Sequence, residues 1–416
     1  MSIFKNLLVA VAGMALTAGS VRAQIPAGLE AEGFHGALFT RTMPDQAVQQ
    51  ADHTENATPP EPVDVFDPAA TPRLEDFVFG PGSCPPPQWR VWGGAEVLLG
   101  TTRPVNVVPV VTTGPALAGL GNAGAIGQAG TSSLFGGRHM LGDFRGGLRA
   151  EGGLWFDNSH NTGVAARFYS LYSTSDQLIG AGNGTNVVNV PQFVSIAGVV
   201  VQVPAYVGFP GLTTGTVTTT AQTMFAGGDL NLRRMMRQGE RWRIDALMGY
   251  RQLYLHDELG AEFTATGTVP PISATVSGAD NIRTRNNFFG ANAGVQATVV
   301  WKRWMLQGLG AVSLGANVSE LDFNRNRLAT ITGAPPVPLI LTSVHDPMTY
   351  FGTVAEGGFK LAYRVTDHAK LTIGYTGLYW GNVRRAQEQL TLSPTLSGNT
   401  TYFFAHMLSF GAEFRY

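Results

Sequence analysis

The stretch Trp242-Arg243-Ile244-Asp245-Ala246-Leu247-Met248-Gly249-Tyr250-Arg251-Gln252-Leu253-Tyr254 decides the fold. Trp242, Ile244, Ala246, Met248, Tyr250 and Tyr254 occupy one phase of a two-residue repeat, and Arg243, Asp245 and Arg251 occupy the other. Successive side chains of a strand point to opposite faces, so the segment predicts a strand with one apolar and one charged side. Residues 368–384 repeat the pattern, with Leu371, Ile373, Tyr375 and Tyr379 against Lys370, Thr372, Thr376 and Asn382. Working outward, ten segments alternate in this way, at about 89–99, 144–156, 163–174, 218–234, 240–256, 284–300, 303–318, 347–365, 368–384 and 401–416. Each reaches about 10 residues, the length a tilted strand needs to cross a bilayer.

The connections between these segments alternate in length. Long ones are expected at 100–143, 175–217, 257–283, 319–346 and 385–400, and short ones at 157–162, 235–239, Trp301-Lys302 and Thr366-Asp367. A barrel in an outer membrane has tight turns at its periplasmic end, longer loops outside and an even number of strands. A soluble sandwich, the alternative fold, has no physical reason to place every long loop at one end. The expected class is all-β: a closed antiparallel up-and-down transmembrane β-barrel of about ten strands with a disordered N-terminal extension.

Composition agrees. Of 416 residues only 14% are charged, against roughly a quarter in soluble domains, and 52 are glycine. The 28 basic and 29 acidic residues leave a net charge of −1, which argues against a nucleic-acid partner. Cys84 is the sole cysteine, so no internal disulfide or thiolate cluster is available. No segment has 18 uninterrupted apolar residues, so a helical span is not expected.

Residues 1–23 read as a secretory signal peptide, with Lys5, an apolar run from Leu7 to Ala18 and a Val-Arg-Ala site before Gln24. Residues 24–87 hold 11 of the 24 prolines and ten acidic groups against Arg41 and Arg73, the composition of a disordered periplasmic tether. The barrel domain is expected over 88–416, where 24 basic and 19 acidic groups give +5. At its end Phe404, Leu408, Phe410, Phe414 and Tyr416 share one phase. Phe410, Phe414 and the terminal Tyr416 form a candidate insertion signal for barrel-assembly machinery. Trp89, Trp155, Trp242, Trp301, Trp304, Tyr379 and Tyr416 suit the interfacial girdles of a barrel.

With the apolar face outward, Arg90, Glu96, Arg149, Glu151, Arg167, Asp229, Arg233, Arg243, Asp245, Arg251, Glu356, Lys360, Arg364, Glu413 and Arg415 point into the lumen. Both signs interleave, and ten strands enclose a narrow space, so pairing across it is expected to stiffen the scaffold and to preclude wide conduction. A gated small-solute path is the alternative.

Signals for chemistry are sparse. Gly119, Gly121 and Gly124 match a G-x-G-x-x-G spacing but lack the strand, helix and downstream acid that a nucleotide site requires. His139, His160, His256 and His345 fall at strand ends or in loops, and acids near His256 and His345, with Asp322 and Asp346, would suit a rim hydrolase. No nucleophile elbow or zinc motif accompanies them. No catalytic, cofactor or metal residue is assigned.

Several stretches are similar to a known family. Trp92-Gly-Gly-Ala-Glu-Val-Leu-Leu, Gly127-Gln-Ala-Gly-Thr-Ser-Ser-Leu-Phe-Gly-Gly, Gly227-Gly-Asp-Leu-Asn-Leu-Arg-Arg, Leu247-Met-Gly-Tyr-Arg-Gln-Leu-Tyr-Leu-His-Asp-Glu-Leu, Asn286-Asn-Phe-Phe-Gly and Gly374-Tyr-Thr-Gly-Leu-Tyr-Trp-Gly-Asn-Val-Arg-Arg resemble the planctomycete outer-membrane β-barrel family of unassigned function. The similarity spans about 89–416 and implies location and architecture, with no catalytic residue. Where that family has a proline after an arginine, this chain reads Arg384-Arg385-Ala386. The expected role is structural: anchoring, surface recognition or envelope integrity, with outer-membrane lipid and cell-wall polymer or surface ligands as partners.

Overall fold

The computed structural model describes residues 90–196, 199–269, 272–391 and 395–416. The signal, the tether, Cys84 and Trp89 lie outside the described residues. Ten strands form one closed antiparallel ring. In chain order they are β1 (Val91–Thr102), β6 (Arg145–Trp155), β7 (Thr162–Gly182), β10 (Thr213–Gln238), β11 (Trp242–Val269), β12 (Ile272–Trp301), β13 (Trp304–Ile331), β14 (Val337–Arg364), β15 (Ala369–Val383) and β16 (Thr401–Arg415). β1 closes the ring between β16 and β6, with Leu99 opposite both Leu408 and Gly146. No described helix is long and apolar enough to cross a membrane; a barrel crosses with strands.

The two-residue repeat sorts the side chains. Arg243, Asp245, Leu247, Arg251, Leu253 and Leu255 of β11 are buried inside, while Trp242, Met248 and Tyr250 are exposed outside. Around the ring an outward belt repeats this with Val97, Leu148, Leu230, Val295, Leu306, Phe359, Ile373 and Phe410, all exposed. Such a belt is stable only against hydrocarbon.

Strand length departs from expectation. β1, β6, β15 and β16 have 12, 11, 15 and 15 residues, but β10 to β14 have 26, 28, 30, 28 and 28. About 10 residues cross a bilayer, so one side of the wall rises far above it. The loops expected at 257–283 and 319–346 are therefore strand: β11 and β12 are joined through 270–271 only, and β13 and β14 through 332–336. β7 likewise runs to Gly182 rather than ending near 174. The reason is environmental. Above the belt the outward phase is wet and reads His256, Glu258, Arg283, Arg285, Glu320 and Asp322, so the apolar half of the repeat vanishes while the hydrogen-bonded ladder continues.

The tall wall has a free edge. β14 pairs with β13 from Val337 to Tyr363, but with β15 only from Val354 to Arg364. Pro338 and Pro347 lie on the stretch paired on one side only, residues that suit an edge because they donate no ladder bond.

The long connections 103–144 and 183–212 are not surface loops. The first forms β2 (Val105–Val107), β3 (Val111–Thr113), β4 (Ser132–Phe135) and β5 (Arg138–Met140), and the second forms β8 (Val188–Ile196) and β9 (Val199–Gly208). β2 pairs with β5, and β4-β3-β8-β9 make a small sheet. Val105, Val107, Val111, Phe135, Val188 and Val207 pack with Val217, Leu259, Ala261 and Phe263 of the tall wall. Gly136 turns the chain there at φ +81, and a Cβ would lie 2.1 Å from the Val108 carbonyl oxygen.

Candidate functional site, the closed lumen

The lumen is filled in layers. Nearest the tight turns, Arg233 Nη2 donates to Asp245 Oδ2 at 2.6 Å and Arg243 Nε to Asp245 Oδ1 at 2.7 Å; Lys370 and Arg415 share Glu413 at 3.1 and 3.2 Å. The next layer crosses the barrel. Glu356 of β14 accepts from Arg167 of β7 and Arg251 of β11, both at 2.6 Å, and the two arginines share Asp229 at 2.6 and 3.3 Å. Lys360 of β14 reaches Glu96 of β1 at 2.7 Å and also pairs with Glu151, while Arg149 holds Glu96 at 3.1 Å. The bonds of Glu356 and Lys360 join strands far apart in the ring and act as struts, while Arg167–Asp229, Arg251–Asp229 and Arg149–Glu96 link neighbouring strands. Burial makes each charge dependent on its partner.

Above the struts lies an apolar slab. Leu98, Tyr169, Leu171, Phe225, Leu253, Leu255, Phe288, Val354, Leu378, Trp380, Val383, Phe403, Ala405 and Met407 are each at most 1% exposed. Phe225 of β10 meets Phe403 of β16 at 4.7 Å between ring centroids, Phe403 meets Trp380 at 6.4 Å, and Trp380 meets Phe288 of β12 at 6.2 Å. An aromatic bar therefore crosses the lumen from β10 to β16 and returns from β15 to β12. The apolar-out, polar-in rule fails at this level. Its signal in the sequence is a run apolar in both phases: Leu253-Tyr254-Leu255, Phe288-Phe289, Leu378-Tyr379-Trp380 and Tyr402-Phe403-Phe404.

The connection after β15 caps the slab. Arg384 donates to Asp346 Oδ2 at 2.7 Å, Asn286 Oδ1 accepts from the Arg384 backbone at 2.9 Å, and Arg385 pairs with Asp257. A short helix α1 (Ala386–Gln389) follows, and Gln387 donates to the carbonyls of Gln222 and Glu258, both at 3.1 Å. Arg384, Arg385 and Asp257 are interior charges missing from the expected set: Arg384 closes the segment expected at 368–384, in the phase of Lys370 and Asn382, and Arg385 and Asp257 fall in stretches expected to be loops.

Of the expected lumen residues, Arg90 is placed elsewhere: it is exposed at the turn end and donates to Asn158 Oδ1 at 3.0 Å. The alternation that assigned it stops with β1, which begins one residue later. Arg364 sits half-buried at the mouth of the lumen, its backbone N–H on the Arg303 carbonyl at 2.9 Å. Trp155 is likewise not in a girdle. It is buried, with the guanidinium carbons of Arg233 and Arg243 each 4.8 Å from its ring. Trp242, Trp301, Trp304, Tyr379 and Tyr416 are exposed, as are Phe410 and Phe414.

The histidines do not gather. His345 Nδ1 lies 2.6 Å from Asp322 Oδ1, and that hydrogen bond raises the imidazole pKa; both project from the outward face of the tall wall, whereas Asp346 turns inward to Arg384. His256 is 4.0 Å from Glu258. Gly119, Gly121 and Gly124 lie in turns with φ of +81, +99 and +69, without a following α-helix. Among the described residues no group of three or more His, Cys, Asp or Glu could hold a metal ion.

A closed ring with a lipid-facing belt and a charged interior defines an outer-membrane β-barrel. The chain belongs to the family described as "Putative beta barrel porin-7 (BBP7)", which it matches over residues 92–416. A comparison with curated proteins finds no match. Among solved structures it is similar to the outer membrane protease OmpT of Escherichia coli, at 11% identity with 79% of this chain and 97% of that one covered and a TM-score of 0.36. It is also similar to a Pseudomonas aeruginosa FadL homologue, at 7% identity, 78% and 90% coverage and a TM-score of 0.22. Likenesses this distant say nothing about chemistry or substrate.

Proposed function

We propose that this chain is a sealed, non-enzymatic barrel that anchors an exposed wall in the outer membrane for surface interaction. The observation that carries the reading is the aromatic bar from Phe225 through Phe403 and Trp380 to Phe288, with ion-pair struts beneath and the plug sheet above. Water and ions gain little by entering a slab of this kind, since the Tyr169 hydroxyl and the Trp380 indole N–H are the polar groups its own side chains offer. Apolar groups away from the tight turns support the interaction role: Leu117 and Val199 on the connections and Leu339 and Leu341 on the upper stretch of β14 are exposed where no belt accounts for them. Reconstitution into planar bilayers is the test. The expected result is no steady conductance above the lipid baseline, and a steady current in the wild-type barrel overturns the reading.

The narrow channel is the second reading, favoured by the porin name of the family and by the cap of the slab resting on two ion pairs, Arg384–Asp346 and Arg385–Asp257. A rim hydrolase has less support, because the Asp322–His345 pair stands on an open strand face. In the same proposal, residues 1–23 direct export and 24–87 form a periplasmic tether able to meet cell-wall polymer. Phe410, Phe414 and Tyr416 present the last strand to the assembly machinery.

A further inference from the structure

The turn end of the barrel carries exposed cations in excess, most of them on two neighbouring hairpins. The hairpin joining β10 to β11 (residues 239–241) and that joining β12 to β13 (302–303) lie side by side, since the Val300 N–H donates to the Arg241 carbonyl at 2.8 Å and Trp242 stands opposite Val299. On these two hairpin ends Arg234, Arg237, Lys302 and Arg303 are exposed, and the acid among them is Glu240. The flanking turns, 156–161 and 365–368, carry Asp157, Asp367 and His368 instead, with Arg90 exposed beside Asn158.

A bulge aims the second arginine. Met235 opposes the inward Asp245, and the register then shifts so that Arg237 opposes Ile244. Without the extra residue the side chain at 237 would follow 233 into the lumen. With it, Arg237 joins Arg234 on the outward face. Trp242, Trp301 and Trp304 are exposed on the same hairpins, and Lys302 Nζ is 5.9 Å from the Trp301 ring centroid. Directly above them the belt begins with Leu232 and Leu306. Cations beside indole rings at the border of an apolar belt lie at headgroup depth, where the available anions are lipid phosphates.

We propose that these two hairpin ends bind the phosphodiester headgroup of an anionic phospholipid in the leaflet at the turn end. The site deepens the membrane reading and rests on it. Soluble phosphate fits less well, because it gives the three indoles and the leucines above them nothing to pack against.

The experiment uses the full barrel in micelles doped with equal amounts of phosphatidylglycerol and phosphatidylethanolamine of matched acyl chains, with retained lipid counted by native mass spectrometry. The wild type is expected to retain phosphatidylglycerol about tenfold in preference, and Arg234→Gln/Arg237→Gln/Lys302→Gln/Arg303→Gln to lose that preference. A control at the other end, Arg283→Gln/Arg285→Gln, should keep it. Equal preference in the fourfold variant, or equal loss in the control, overturns the assignment. So does displacement of the lipid by glycerol phosphate at matched concentration. Heat-modifiable gel migration of every variant reports barrel closure separately, so failure of the membrane reading is distinguishable from failure of the lipid site.

Discussion

Glu356 shows how the interior is held at the scale of a residue. Its buried carboxylate faces Arg167 and Arg251 across the lumen, and Asp229 completes a neutral set of four charges. Glu356→Gln leaves two guanidinium groups on one carboxylate. The expected loss is about 3–5 kcal/mol of unfolding free energy, read by urea denaturation of the folded barrel in micelles. Adding Arg251→Met restores charge balance and should recover part of it, a coupling that a double-mutant cycle measures. The Asp322–His345 pair is different, being exposed. Its hydrogen bond raises the imidazole pKa, so whatever stability it lends is present below the ordinary histidine value and fades as pH rises through the higher folded value. An NMR titration should place His345 above 6.5, its ordinary value, and Asp322→Asn should bring it back. Alternation identified Glu356, Arg167 and Arg251 as inward, but their meeting depends on closure, because 189 residues separate Arg167 from Glu356.

At the scale of an element, β14 is two strands in one. Below Val354 it is locked between β13 and β15, and from Val337 to Thr353 β13 is its one strand partner, with Asn382 and Arg384 donating to the Phe351 and Asp346 carbonyls. Amides on the free side of that upper stretch should exchange with solvent orders of magnitude faster than those of Val354–Arg364, in a hydrogen-exchange measurement resolved by peptide. Comparable protection of both halves would mean that something covers the edge. The upper halves of β11 to β14 were not legible as strands, since the hydrophobic repeat is a record of lipid contact and fades where the outward face meets water. Their lower halves were legible for the same reason.

For the whole molecule, the proposed seal rests on the aromatic bar. Trp380→Ala with Phe403→Ala removes two members of a contact chain that crosses the lumen, leaving a gap that polar groups above and below can hydrate. The double variant is expected to show discrete conductance steps in planar bilayers where the wild type shows none. A silent double variant would mean that the plug sheet around Val107 and Val111 seals the barrel unaided. The inward fold of 103–144 was not readable from alternation, because short apolar strands under a loop carry no phase that says which surface they cover.

The amino-acid order by itself pointed to the ring: ten segments with one apolar phase, joined by tight turns at one end and long connections at the other, favour closure in lipid, because an unpaired edge there leaves backbone groups without partners. Tertiary structure alone decided what fills it. Which arginine meets which carboxylate, that the chain after β15 bends inward on Arg384 and Arg385, and that four aromatic rings join across the space all depend on strands distant in sequence facing each other. Facing is a property of barrel stagger and diameter, which no local pattern of residues encodes.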